Sequence, residues 1–255
     1  TGAVNPLAAF LADRLDSAAL ELRTIQNSCA KCPAEYAGFY SGDTLRISVF
    51  MGYTSMDGAF KHAFIDHLIN DRARNLAACG FTADVDDSSM LHKTLTFDSQ
   101  HLKFVALKIF SSSAGMNAYL KALRHDDVVL YLGHSRYGTG PGFRDIPVFS
   151  SDAIEAFVFR NPLLQTGDAL KNASRPPKII GFFSCRSGKY YGRYLHSVSP
   201  RSALLTGSDI SSHDQNLIAA LGFLNAILGM QCPEDLHRSV NVGGYLHDFQ
   251  LFGFF

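Results

Sequence analysis

Apolar-rich runs of five to seven residues recur along the chain at 45–51, 104–110, 128–132, 179–183 and 203–207, each followed by Gly or Ser. Such runs, bounded by turn residues, predict strands. Those at 128–132 (Val-Val-Leu-Tyr-Leu) and 179–183 (Ile-Ile-Gly-Phe-Phe) do not alternate with polar positions. They therefore predict strands buried on both faces. A further arm, 93–97, predicts an edge or hairpin strand, and the tail 245–252 a last sheet element.

Between the runs the apolar spacing changes to three and four. Leu7, Phe10, Leu11, Leu15, Ala18, Ala19 and Leu22 predict a helix within 4–25, and Phe60, Phe64, Ile65, Leu68 and Ile69 one over about 58–78, with Asp57 as N-cap and Gly80 as C-cap. Ser113 is read as the cap of a helix reaching Leu123, and Ser212 as the cap of an apolar helix over 213–228. Tyr191, Tyr194 and Leu195 mark a helix near 188–197, and residues 168–170 a short helical turn. The pattern at 153–159 fits strand and helix equally. Strands alternating with helices predict a mostly parallel α/β sheet. The Gly/Pro/Ser-rich stretch 33–43 separates a helical extension, 1–43, from a main domain, 44–255.

Charge narrows the function classes. Lys plus Arg and Asp plus Glu both number 23, so the chain lacks the basic excess on which nucleic-acid binding draws. No apolar run approaches the roughly 20 residues needed to span a bilayer. The start at Thr1-Gly2 admits a leader removed before numbering, and hence export. Nothing in the sequence sets the oligomeric state. Five cysteines do not suggest a disulfide framework. Cys29 and Cys32 form C-A-K-C-P without further zinc ligands at suitable spacing, and read as a structural or incidental pair that a local disulfide would join on export. Cys79 is expected to be buried, and Cys232, before Pro233, to sit beside a helix start.

The two continuous runs also carry the chemistry. The first leads into Gly133-His134-Ser135, the second into Ser184-Cys185-Arg186. In an open parallel sheet, sites form beyond the carboxyl ends of the strands. A histidine and a cysteine at two such ends can make a nucleophile–base pair. Cys185 precedes a helix start and an arginine, and both favour a thiolate.

On these residues the chain resembles the caspase-like cysteine peptidases, a superfamily that includes caspases, gingipains, clostripain, legumain, separase and bacterial CHAT domains. Its members share an apolar strand ending in His-Gly and another ending in Ala-Cys or Ser-Cys. Here the strings are L-G-H-S and F-S-C-R-S-G, histidine first, about 50 residues apart as in caspases. The resemblance runs from about Leu45 to the end. It takes in A-L-L-T-G-S-D-I-S with the helix after it, and a closing F-Q-L-F-G similar to the F-N-L-x-G-D-P of gingipain-like bacterial members, with Phe254 in place of the aspartate.

The resemblance implies a three-layer α/β/α sandwich and peptide-bond hydrolysis of a protein or peptide substrate without an organic cofactor. No EF-hand-like string supports a Ca²⁺ ion. Cys185 is then the nucleophile, and His134 the group that protonates the leaving amine. The backbone N–H groups of Ser135 and Cys185 form the oxyanion hole. Ser135 departs from the family's glycine. Asp209 is a candidate for lining the S1 pocket and selecting Arg or Lys at P1, with Asp145 and Asp152 behind it. Arg186 and Arg136 point instead to an acidic P1. Two other readings stand beside this one: a binding module with a degenerate site, and a serine hydrolase using Ser135 in G-H-S-R-Y-G, which lacks the helix that a nucleophile elbow requires.

Overall fold

The computed structural model describes residues 6–40, 42–70, 75–96, 102–144, 161–243 and 248–253. They form an α/β fold around an eight-stranded mixed sheet, mostly parallel. The strands are β1 (Thr44–Met51), β2 (Thr82–Ala83), β3 (Met90–Thr96), β4 (Leu102–Phe110), β5 (Val128–Leu132), β6 (Ile179–Phe183), β7 (Ala203–Gly207) and β8 (Phe249–Phe252), in the order β2-β3-β4-β1-β5-β6-β7-β8. From β4 to β7 every pairing is parallel, while β2, β3 and β8 close the two sides antiparallel. The helices are α1 (Pro6–Ser28), α2 (Asp57–Asn70), α3 (Gly115–His125), α4 (Pro162–Lys171), α5 (Arg193–Val198), α6 (His213–Gly229) and α7 (Pro233–Val240).

The two continuous apolar runs lie side by side at the centre, with Leu132 opposite Phe183. Every residue of β5 and β6 is buried, which is why neither run alternates. Side chains of a strand still point to opposite faces. Val128, Leu130, Leu132, Ile179 and Phe183 join the core that contains residues of α1, α2 and α6. Val129, Tyr131, Ile180 and Phe182 join a second core with α3, α4 and α5. Helix α6 is buried throughout 216–228, and each fully buried Leu, Ile or Phe on it contributes about 1.5–3 kcal/mol.

Helix α1, part of the segment expected as an extension, lies in the same core as the sheet. Leu11, Leu15, Ala19 and Leu22 are buried there, and Arg14 Nε lies 3.3 Å from Asp214 at the start of α6. The Cys29–Cys32 pairing expected from C-A-K-C is corrected: Cys32 is joined to Cys232, with Cys29 a free thiol. An isolated bridge between Lys31 and Gln231 brings the two chain segments together where Cys32 meets the cysteine at the start of α7. Cys29 lies at the end of α1, where its thiol faces Gln26 O at 3.4 Å. The disulfide spans a sequence separation of 200, for which loop entropy alone would give about 5 kcal/mol. Tyr36 and Tyr40 strengthen the join, donating to Gln231 O and Ile227 O at 2.8 Å each.

Other boundaries moved for local reasons. The helix expected to reach 78 is described over Asp57–Asn70, and residues 75–78 are not helical. The N–H groups of Gly80 and Phe81 both donate to Leu68 O, so Leu76, Ala78 and Cys79 are buried from a returning loop. The cap expected at Ser113 falls inside a 3-10 turn, Ser112–Ala114, and α3 begins after it. The turn expected at 168–170 is the end of the ten-residue α4, capped by Asn161 with Pro162 in its first turn. Residues 153–159 lie outside the described residues.

Candidate active site

The ladder between β5 and β6 runs one bond past the strands: Gly133 N–H donates to Phe183 O at 3.1 Å. His134 and Cys185 therefore leave the sheet from neighbouring positions at its carboxyl end. Tyr131 shapes the first exit. Its hydroxyl accepts the Gly142 N–H at 2.9 Å and faces the carbonyls of His134 at 3.1 Å and Gly142 at 3.2 Å. A Cβ on Gly133 would come within 2.6 Å of that hydroxyl, and one on Gly52 within 2.5 Å. These two glycines are there so that the tyrosine can fold over the strand end.

The second exit is held by Ser187, which is fully buried. Its hydroxyl donates to Phe182 O and accepts the Gly207 N–H, both at 2.8 Å, tying β6, β7 and the helix start together. That helix opens with a π-helical turn, Gly188–Gly192, and continues as α5. Wide turns of this kind are frequent at functional sites. Tyr191, on the π turn, donates to Ser135 O at 2.6 Å, so the cysteine-bearing and histidine-bearing segments are joined directly. Arg186 (φ 50°) and Arg136 (φ 46°) both adopt the left-handed conformation. That conformation is disfavoured for a residue with a Cβ and clusters at functional sites.

Cys185 is a free, half-buried thiol. Its Sγ lies 3.5 Å from both the backbone N and the carbonyl O of Ser211. Two residues on, His213 places its Nε2 3.3 Å from His134 Nε2, the rings meeting edge to face with centroids 4.7 Å apart. One short segment therefore touches the cysteine at Ser211 and the histidine at His213, and two residues span at most about 7 Å. His134 is exposed on its outer side. The cover on its other side lowers its pKa, burial being the larger cause and Arg136 the smaller. The pKa of His213 is also lowered, by burial first and by His134 second.

Ser135 is buried and takes φ −77°, ψ −13°, a conformation open to any L-residue. Serine in place of glycine thus costs no backbone strain here. Among the described residues, neither the Ser135 nor the Cys185 N–H has a hydrogen-bond acceptor. Arg186 and Asp209 lie together at the rim, Nε to Oδ1 3.6 Å, both exposed, with Arg186 N–H donating to Asp209 O at 2.8 Å. Arg136 turns to the Arg144 carbonyl. Asp145 and Asp152 lie outside the described residues. A cavity of about 600 Å³ beside the π turn is lined by Lys189, Arg193, Thr206, Gly207 and Asp248 among others. Neither Cys185 nor His134 lines it, so its size does not mark it as the seat of this chemistry.

His213, Tyr191 and Tyr131 escaped the sequence reading as site residues. His213 had a usable signal, as the first residue after a helix cap. The two tyrosines sit among core apolar positions and gave none. No family model matches the chain, and no curated protein matches it.

Proposed function

We propose that this protein is a cysteine endopeptidase of caspase-like type, acting through Cys185 and His134. One observation carries the reading: the two residues emerge from adjacent, parallel, in-register strands at the same end of the sheet, where sites of open α/β folds form. The three-layer α/β/α arrangement belongs to the same proposal. It is supported by the way alternate residues of β5 and β6 feed two separate helix-containing cores.

In this reading the Cys185 thiol gives its proton to the His134 imidazole as it attacks. Sulfur bonds to the scissile carbonyl carbon, and the π electrons move to oxygen. The resulting oxyanion takes the unengaged N–H groups of Ser135 and Cys185. Collapse breaks the C–N bond, and the leaving amine takes the proton from His134. Water then gives a proton to His134 as its oxygen attacks the thioester, and the departing sulfur takes that proton back. Asp209 at the rim would select Arg or Lys at P1, the incoming cation displacing Arg186 from the carboxylate.

The serine-hydrolase alternative draws little support. Ser135 is buried, and a single 3-10 turn, Arg136–Gly138, follows it. The binding-module alternative rested on Ser135 replacing glycine, and its ordinary backbone angles weaken that motive. A fluorogenic library with Arg, Lys, Asp or Asn at P1, run against wild type and Cys185→Ala, tests the proposal. Cleavage by wild type alone is the expected result, with Asp209→Asn depressing turnover at Arg and Lys. Cleavage that persists in Cys185→Ala would overturn it.

A further inference from the structure

His213 is set more firmly than the histidine it meets. It is the first residue of α6, whose capping box includes a Ser212 N–H to Gln215 Oε1 bond of 2.7 Å. Phe60 of α2 packs against its ring at a centroid distance of 5.6 Å. The neighbouring Asp214 is held from α1 by Arg14. His134, by contrast, hangs on a loop, and among the described residues its ring makes no hydrogen bond except that to His213.

We infer that His213 is a positioning residue for the reaction proposed above, its Nε2 accepting the His134 Nε2–H so that His134 Nδ1 is reserved for the substrate. The inference rests on the peptidase reading for its purpose, and on geometry for its substance. A Nε2–Nε2 bond allows only one proton between the rings. With that proton on His134, the ring is held in one tautomer and one orientation, and Nδ1 is free to pass a proton to the amine and take one from water. The imidazolium, present before the amine takes its proton and again after water gives one, keeps its Nε2–H directed at a neutral acceptor. This is the work of the third group in a nucleophile–base–orienter arrangement. An imidazole takes the place that a carboxylate fills elsewhere. Among the described residues, the other charged or titratable groups facing the pair are Arg136 beside His134, Asp214 on the helix of His213, and Asp57, which lines a small cleft with His213. Asp57 already accepts the Ser112 N–H at 2.8 Å, and Asp214 is taken by Arg14, so neither carboxylate is free to replace His213.

The test uses two variants and two readouts. His213→Ala removes the acceptor. His213→Gln restores a neutral acceptor at a similar reach. In the peptidase assay, His213→Ala is expected to lower kcat about 10–100-fold with little change in KM, and His213→Gln to recover most of that loss. Separately, ¹⁵N-histidine NMR in the Cys185→Ala background reads the tautomer without turnover. His134 should be a single Nε2–H tautomer, becoming a mixture when His213 is also replaced by Ala and returning to one form with Gln. A His134 tautomer unchanged by His213→Ala, or an equal loss of kcat in both variants, would overturn the inference. Cleavage that survives Cys185→Ala would overturn the peptidase reading alone, leaving the tautomer result to judge the imidazole pair.

Discussion

The two ends of the β5–β6 pair are built on opposite terms. At the amino end almost every polar group is engaged. The Asp127 side chain is buried, and its carboxylate accepts Arg46 N–H at 3.0 Å and an Arg175 guanidinium N–H at 2.7 Å. Its backbone carbonyl accepts the N–H groups of Lys178 and Ile179. Ser48 donates to the adjoining Asp126 at 2.6 Å. At the carboxyl end the Ser135 and Cys185 N–H groups are unengaged, and the Ser184 and Ser211 hydroxyls are buried without a partner among the described residues. Two arginines there hold left-handed backbone angles. Unsatisfied buried groups and strained residues are costly. One end of the sheet is finished as structure. The other leaves donors without a partner among the described residues.

Substitutions at the two ends should therefore behave differently. At the amino end the effect should fall on stability alone. Asp127→Ala strands the Arg46 N–H and should cost about 2 kcal/mol by denaturant unfolding, while kcat of the surviving folded protein stays near wild type. A large fall in kcat with unchanged stability would reverse the assignment of the two ends. Gly133→Ala drives a methyl into the Tyr131 hydroxyl. It should cost about 1–3 kcal/mol and also displace His134, so activity and stability fall together. Tyr191→Phe removes one buried bond, worth about 1 kcal/mol, and should slow turnover by more than that loss of stability explains, because it unties the histidine loop from the cysteine helix. Equal kcat in Tyr191→Phe and wild type would show that the tie is merely structural.

The gentlest probe is pH. Both histidines at the carboxyl end have pKa values lowered by burial. The unfolded chain, with histidine near 6.5, binds protons that the folded one refuses. Stability should hold above about pH 6.5 and decline as pH falls below it. Comparing denaturation midpoints at pH 7.5 and 5.5 checks this, and His213→Ala should flatten the dependence.

Much of this was legible in the sequence. Continuous apolar runs located β5, β6 and β7 to the residue, because burial on both faces leaves no room for polar alternation. The same runs pointed to His134 and Cys185, because a sheet of this kind delivers its strand ends to one crevice. What escaped depended on contacts distant in sequence. The Cys32–Cys232 bond needs α1 and α7 to meet, which no local spacing states. Helix α4 was hidden although its Asn161-Pro162 start is a cap signal. The Asp209–Arg186 pair merges two candidates for opposite P1 preferences into one rim contact. His213 became visible only when α6 was laid beside the β5 exit.

The central claim is that Cys185 is the chain's nucleophile. It is tested most directly by treating the folded protein with peptidyl acyloxymethyl ketones carrying Arg, Lys, Asp or Asn at P1, and mapping the adduct by mass spectrometry. A thioether on Cys185 is expected from at least one member of the panel, with Cys29, Cys79 and Ser135 unmodified. No adduct from any member, or an adduct at another residue with Cys185 intact, would contradict it.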